Sequence, residues 1–278
     1  MAYAPVFGIA TVADLFETHA ALRPHAVAFI EFDGKDHAAQ LTYAEGKQIV
    51  DGIATRLVSA GVKPGDRVAV RLPKSARNML LFFAVSRVGG IYVPINPEFT
   101  DREAGVLIED ADPSILVDNR EGDVERTGDA TWKRFRFDTG GADDLMTLPA
   151  GDLPAKPAAD QGALMLFTSG TTGRPKGAML THENLLSNVA ALSDAWGITD
   201  ADRLLHVLPV YHGHGLYLGV VMPLLRRAGR FRRQAPVLHG NTHRGWRWRR
   251  PPRRRSRAGA GARHVNHRRI LAPSRQKG

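Results

Sequence analysis

An α/β fold with mostly parallel sheets flanked by helices is predicted by three features of this 278-residue chain. Amphipathic helical stretches alternate with short apolar runs from Arg67 onward, and strand-helix-strand spacing of that kind favours parallel pairing through crossover connections. A buried-strand pattern at Ala163–Phe167 runs into a glycine-rich segment and then an amphipathic helix. The first 225 residues are ample for a large core, with the mixed apolar and charged usage of an ordinary domain.

Each element has its own signal. Thr11 followed by Asp14 resembles a capping box, and Val12, Leu15, Phe16 and Leu22 recur at helical spacing until Pro24 stops the helix. Val27 to Phe32, Asp33-Gly34 and His37 to Tyr43 predict a hairpin. The next helix spans about Ala44 to Ala60, with Gly61 as its stop and Pro64-Gly65-Asp66 as the turn beyond. Arg67–Leu72 reads as a strand, Ala76–Val88 as a helix capped by Ser75, and Ile91–Pro94 as a strand. Thr100 and Glu103 cap a helix reaching about Asp110, and Ser114–Asp118 is the following strand. Arg120 to Asp160 is polar and rich in Gly, Asp and Pro, so it is expected to be a surface excursion despite the apolar group Trp132–Phe137. Order resumes with Ala163–Phe167, a helix from about His182 to Trp196 capped by Thr181, and a strand at Arg203–Leu208.

Charge divides the chain. Residues 226–278 hold 18 of the 38 basic residues and no Asp or Glu, which leaves the first 225 with 20 basic against 28 acidic. The basic character therefore belongs to the tail. Absence of cysteine excludes disulfides, thiolate metal sites and a cysteine nucleophile. The longest apolar stretch, Gly215 to Leu225, is too short to span a bilayer, and the N-terminus lacks the pattern of a secretory signal, so a cytoplasmic location is expected.

The segment Thr168 to Gly177, T-S-G-T-T-G-R-P-K-G, carries the strongest chemical signal. Gly170, Gly173 and Gly177 permit positive φ and remove the Cβ atoms that would hold a polyphosphate away from backbone N–H groups. Hydroxyls of Thr168, Ser169, Thr171 and Thr172 add donors, Pro175 stiffens the loop, and Lys176 supplies a mobile cation. Lys176 precedes Gly177 rather than following a glycine and preceding Ser or Thr, so this is not a P-loop NTPase motif. The plain alternative is a surface turn between a strand and a helix.

His212 and His214 are two apart, so in an extended segment they would face one side, a spacing that also suits a metal. No third ligand lies nearby, and contact with substrate or a structural role are the competing readings. His182-Glu183 begins like a zinc-protease helix but lacks its second histidine. Tyr92 and Tyr211 read as core or pocket-lining aromatics.

The glycine-rich loop resembles the phosphate-binding signature of the AMP-dependent synthetase and ligase family, the adenylate-forming enzymes that include acyl-CoA synthetases. Leu41–Glu45, Val88–Pro97 and Pro209–Gly215 are similar to further family elements, in the same order. Text around Leu208–Leu216 is most similar to malonyl-CoA synthetases. The resemblance implies that residues 1–225 form an incomplete N-terminal adenylation domain. It also implies that Mg-ATP and a carboxylate give an acyl-adenylate and pyrophosphate, after which CoA displaces AMP. Thr168, Ser169, Gly170, Thr171, Thr172, Gly173, Arg174, Pro175 and Lys176 would hold ATP phosphates, and His212 and His214 would line the acyl site. Family elements for adenine, ribose, magnesium and a C-terminal catalytic lysine have no match after Leu225, which leaves the catalytic residues unassigned.

In residues 226–278, Arg, Gly, Ala and Pro make up 33 of 53 positions and Val, Ile, Leu and Phe only 6. Too little apolar surface exists there to offset chain entropy, so a disordered basic tail is expected. A shifted reading frame in GC-rich DNA would give this composition, implying a truncated, inactive ligase. The alternative is a genuine nucleic-acid-binding arm, with Trp246 and Trp248 stacking on bases.

Overall fold

The computed structural model describes residues 9–32, 38–121, 132–168, 175–199, 201–228 and 237–238. Its larger sheet has the order β6-β5-β3-β4-β7-β8, built from β3 (Arg67–Arg71), β4 (Ile91–Pro94), β5 (Ile115–Asp118), β6 (Lys133–Phe135), β7 (Gly162–Thr168) and β8 (Lys176–Thr181). All neighbours are parallel except β7 and β8. The smaller sheet, β2-β1-β10-β9, joins β2 (Ala38–Thr42) antiparallel to β1 (Val27–Phe32), then β10 (Val237–Leu238) and β9 (Leu205–His206) in parallel. The α/β class and its mostly parallel sheets are as expected.

Helices α2 (Tyr43–Ala60), α3 (Ala76–Arg87) and α4 (Asp101–Ala111) cover the larger sheet. Alternation along the strands explains why both faces are covered. Val68, Val70, Ile115 and Val117 enter a core with α2 and α3, while Ala69, Leu116 and Val93 meet Leu107, Ile108 and Trp132 in a second cluster. Local signals fix the helix ends. Thr42–Glu45 and Thr100–Glu103 form reciprocal capping boxes, Ser75 caps α3, and Gly61 ends α2 in the left-handed region at φ 100°.

Several expectations change. Helix α1 (Asp14–Leu22) starts later than Thr11, with Ala13 as its N-cap residue: Thr11 N–H and Oγ1–H donate to Asp14 Oδ2, but the Asp14 N–H goes to the Thr11 carbonyl and not to its hydroxyl, so the reciprocal half of the box is missing. The stretch expected to be a surface excursion contributes edge strand β6, and Trp132, Phe137 and Leu145 are buried. Asp144 ties its turn together by accepting backbone N–H groups from Asp138, Thr139, Gly140 and Met146. The strand expected at Arg203–Leu208 contracts to Leu205–His206. Helix α6 (Met222–Ala228) runs past the change in composition at 225, and Val237–Leu238 lie between β1 and β9. The rest of the tail and the Asp33-Gly34 turn lie outside the described residues.

His182 opens helix α5 (His182–Ala195), with Thr181 as its cap. Its ring is fully buried, Nδ1 accepts the Val12 N–H at 3.3 Å, and Nε2 has no partner. Burial pushes its pKa down to about 4, against a weaker opposing pull from Asp14. The folded value lies below the unfolded one near 6.5, so its contribution to stability is complete above about pH 6.5 and is lost as pH falls toward 4. Stability should drop by about 2 kcal/mol from this group between pH 7.5 and 5. Urea melts of His182→Asn, which keeps an acceptor for Val12 but cannot titrate, should show that part of the pH dependence removed.

Candidate functional site

Two adjoining features meet at the carboxyl ends of the parallel strands, where ligands of open α/β sheets bind. The first is the β7–β8 hairpin. Thr168 pairs with Lys176 at its loop end, and Thr168 Oγ1–H donates to the Lys176 carbonyl at 3.4 Å. The candidate phosphate loop therefore springs from two antiparallel strands, not from a strand leading directly into a helix. Strand β8 escaped sequence reading because Lys176 to Met179 are all exposed at the sheet edge, so its burial pattern does not alternate. Of the nine candidate loop residues, Thr168, Pro175 and Lys176 are described; Ser169, Gly170, Thr171, Thr172, Gly173 and Arg174 lie outside the described residues.

Thr168 and Pro175 border an open cavity of about 390 Å³. Its other walls include Asn96 after β4, Phe99, Glu103 from α4, and Tyr211. The wall from Asn96 to Glu103 was not singled out by sequence reasoning, although its place just beyond a parallel strand was the signal that could have found it. Tyr92 is instead a core residue, its hydroxyl donating to Asn78 Oδ1 at 2.7 Å.

The second feature is the histidine turn between β9 and a π-helical segment, His214–Val221. Gly213 has helical angles, φ −52° and ψ −41°, so His212 and His214 do not sit on an extended strand as expected. Both are nevertheless exposed, and both line a cavity of about 270 Å³ with Leu208, Pro209 and Gly215. The turn packs against β7, since a Cβ on Gly213 would stand 2.7 Å from Leu166 Cδ1. Tyr211 connects the two features: it lines the cavity beside Thr168, and its ring centroid is 4.6 Å from that of His212. Among the described residues no group of three His, Cys, Asp or Glu side chains is arranged to hold a metal.

Residues 16–231 match the family model for AMP-binding enzymes. The chain belongs to the AMP-binding enzyme family. Among relatives of this AMP-binding chain, an oxalate–CoA ligase of Arabidopsis thaliana is 34% identical over 210 residues, covering 69% of this chain and 41% of the relative. A feruloyl-CoA synthase of an Amycolatopsis species is 33% identical over 210 residues, covering 76% and 41% respectively. Apo MatB from Rhodopseudomonas palustris has a TM-score of 0.68 at 33% identity, over 82% of this chain and 44% of MatB. The ATP-bound form of MatB has a TM-score of 0.66 at 32% identity, over 82% and 45%. The AMP-binding chain thus spans about two-fifths of the length of these two curated relatives.

Proposed function

We propose that this AMP-binding chain carries the phosphate- and carboxylate-handling part of an ATP-dependent acyl-CoA ligase. The overall reaction converts carboxylate, ATP and CoA to acyl-CoA, AMP and pyrophosphate. The observation that carries this reading is the convergence, through Tyr211, of the Thr168–Lys176 hairpin and the His212–Gly215 turn at the carboxyl end of β7. Malonate or another short carboxylic acid is the proposed substrate, supported by the oxalate–CoA ligase relative, by the resemblance of Leu208–Leu216 to malonyl-CoA synthetases and by the small cavity beside His212 and His214. Residues 1–225 are the proposed functional part, and a cytoplasmic location is proposed with them; among the described residues no helix is long and apolar enough to cross a membrane.

A carboxylate oxygen attacks the α-phosphorus of ATP, pyrophosphate leaves, and the CoA sulfur then displaces AMP from the acyl carbonyl. Negative charge grows on the departing phosphates, so a cation and fixed donors stabilise the first step. Lys176 supplies that cation, and the Thr168 hydroxyl supplies a donor at the loop's base by rotating away from its 3.4 Å bond to the Lys176 carbonyl. His212 and His214 present ring N–H groups to the carboxylate from the cavity wall. Magnesium would arrive complexed with ATP and supply positive charge to its phosphates.

Titration calorimetry on the whole chain tests this reading. Mg-ATP and malonate should each bind, and Lys176→Ala should weaken Mg-ATP about tenfold or more, the loss of a charge-assisted hydrogen bond, without changing malonate affinity. Failure of the unaltered chain to bind either ligand would overturn it.

A further inference from the structure

His206 lies just upstream of the histidine turn and is 1% exposed. Its Nε2 is 2.7 Å from the Gly215 carbonyl oxygen, one residue beyond His214. A carbonyl only accepts, so the proton of the neutral ring sits on Nε2 and the bond runs from His206 to the turn. The ring lies directly against the π-helical segment: a Cβ on Gly219 would stand 2.4 Å from Nε2 and 2.5 Å from Cδ2. From the other side, Lys74 Nζ donates to the His206 backbone carbonyl at 3.3 Å. The residue is thus held twice, its backbone by Lys74 ahead of α3 and its imidazole by the segment that follows His214.

Its second nitrogen gives the arrangement meaning. Nδ1 is buried and has no partner beyond the backbone of its own residue. Leaving a buried polar atom so poorly satisfied is a cost that an apolar side chain of similar size would not carry. What the imidazole supplies in return is a donor aimed at Gly215 O. That carbonyl belongs to the short turn whose other end is closed by Pro209, so fixing it fixes the peptide planes on which His212 and His214 are mounted.

We propose that His206 is a positioning residue for the acyl-substrate turn: by donating Nε2–H to Gly215 O it sets the backbone that presents His212 and His214 to the cavity. The carboxylate part of this statement rests on the function proposed above. His206 touches no substrate; it acts through the turn.

Histidine-labelled nitrogen NMR on the full chain tests it with three proteins: unaltered, His206→Leu and His206→Gln. The unaltered protein should show His206 protonated on Nε2. His206→Leu should stay folded by circular dichroism, shift the His212 and His214 signals, and weaken malonate binding about three- to tenfold, with Mg-ATP binding unchanged. His206→Gln, whose amide donor reaches a similar point, should restore the signals and bring malonate affinity to within about twofold. A ring protonated on Nδ1, or His206→Leu with unaltered His212 and His214 signals, would overturn the proposal. Should His206→Leu fail to fold, the tautomer and the His206→Gln signals decide alone, and displaced turn signals in the glutamine variant count against it. If malonate does not bind the unaltered chain, the carboxylate reading falls, while turn signals displaced by leucine and restored by glutamine still support positioning.

Discussion

Replacing Asp118 with Asn should cost this protein about 3–5 kcal/mol of stability, the usual penalty for stripping one partner from a buried ion pair. Asp118 is fully buried at the end of β5, and Arg71, at the register-matched end of β3, is 1% exposed. Arg71 donates from Nε at 2.9 Å and from Nη2 at 2.6 Å to the same carboxylate oxygen, Oδ2. The other oxygen, Oδ1, accepts the Arg120 N–H at 2.9 Å. An asparagine amide could not neutralise the guanidinium, which would leave buried Arg71 with the part-exposed Asp101 as its carboxylate partner, and Arg134 Nη2, 3.4 Å from Oδ2, would lose the same charge. For a body of this size the melting temperature should fall by on the order of 10 °C. Asp101 also contacts Arg71, at 2.8 Å, but its side chain is 38% exposed, so Asp101→Asn should cost no more than about 1 kcal/mol. The double variant Arg71→Met/Asp118→Leu should recover most of the loss, because removing both charges removes both desolvation penalties. Urea unfolding of the four proteins measures each quantity, and an Asp118→Asn variant within about 1 kcal/mol of the parent would mean the pair is solvated. The same network bears on function. Through Asp101 it ties the first turn of α4 to the sheet, and α4 supplies Glu103 and Leu107 to the wall of the cavity beside Thr168.

Arg71 and Asp118 also show where sequence reading stopped. They are 47 residues apart and belong to strands whose apolar character was legible, but nothing local distinguishes a charged strand-end residue that pairs inside the core from one that meets solvent. Short-range signals did better. Thr100 with Glu103, Ser75 and Thr181 each act within one helical turn and cap the helix they announced, whereas Thr11 with Asp14 does not cap α1. The glycine-rich loop was legible from its chemistry, whereas its mounting was not. Strand β8 buries little and gains its identity from pairing with β7, a tertiary effect that periodicity cannot carry. Strand β6 was lost for the same reason: it is a three-residue edge that, among the described residues, pairs with β5 alone. His212 and His214 were found as a pair and share one cavity, but through a helical turn at Gly213 and not through strand alternation. His206, six residues before the first of them, looked like one more strand residue. Only its 2.7 Å contact with Gly215 O distinguishes it.

Gly215→Ala should disable the histidine turn even though alanine is the better helix former. The residue lies within the π-helical segment, where exchanging glycine for alanine would by propensity alone stabilise by roughly 1 kcal/mol. Sterics oppose that gain and win. An added Cβ would stand 1.9 Å from Pro209 O and 2.8 Å from Pro209 C, so the turn must open by more than an ångström to reach contacts that real Cβ atoms tolerate. Both obstructing atoms are backbone, so no side-chain rotamer can relieve the clash. Forcing a methyl into such a space costs about 1–3 kcal/mol, and because the native gap is so small the upper end is expected here. Pro209 and Gly215 bracket His212 and His214, so their separation moves both rings and stretches the His206 bond to Gly215 O. Malonate affinity should therefore fall by at least about tenfold, while Mg-ATP binding at the β7–β8 hairpin changes little. Gly52→Ala in α2 is the matched control. Its Cβ would meet nothing nearer than Arg56 Nη1 at 3.6 Å, and it should raise stability by about 0.5–1 kcal/mol. Urea midpoints, malonate calorimetry and the histidine NMR signals of the two variants separate propensity from packing. A Gly215→Ala protein as stable as its parent, with unmoved His212 and His214 signals, would show that the turn has room the structure does not give it.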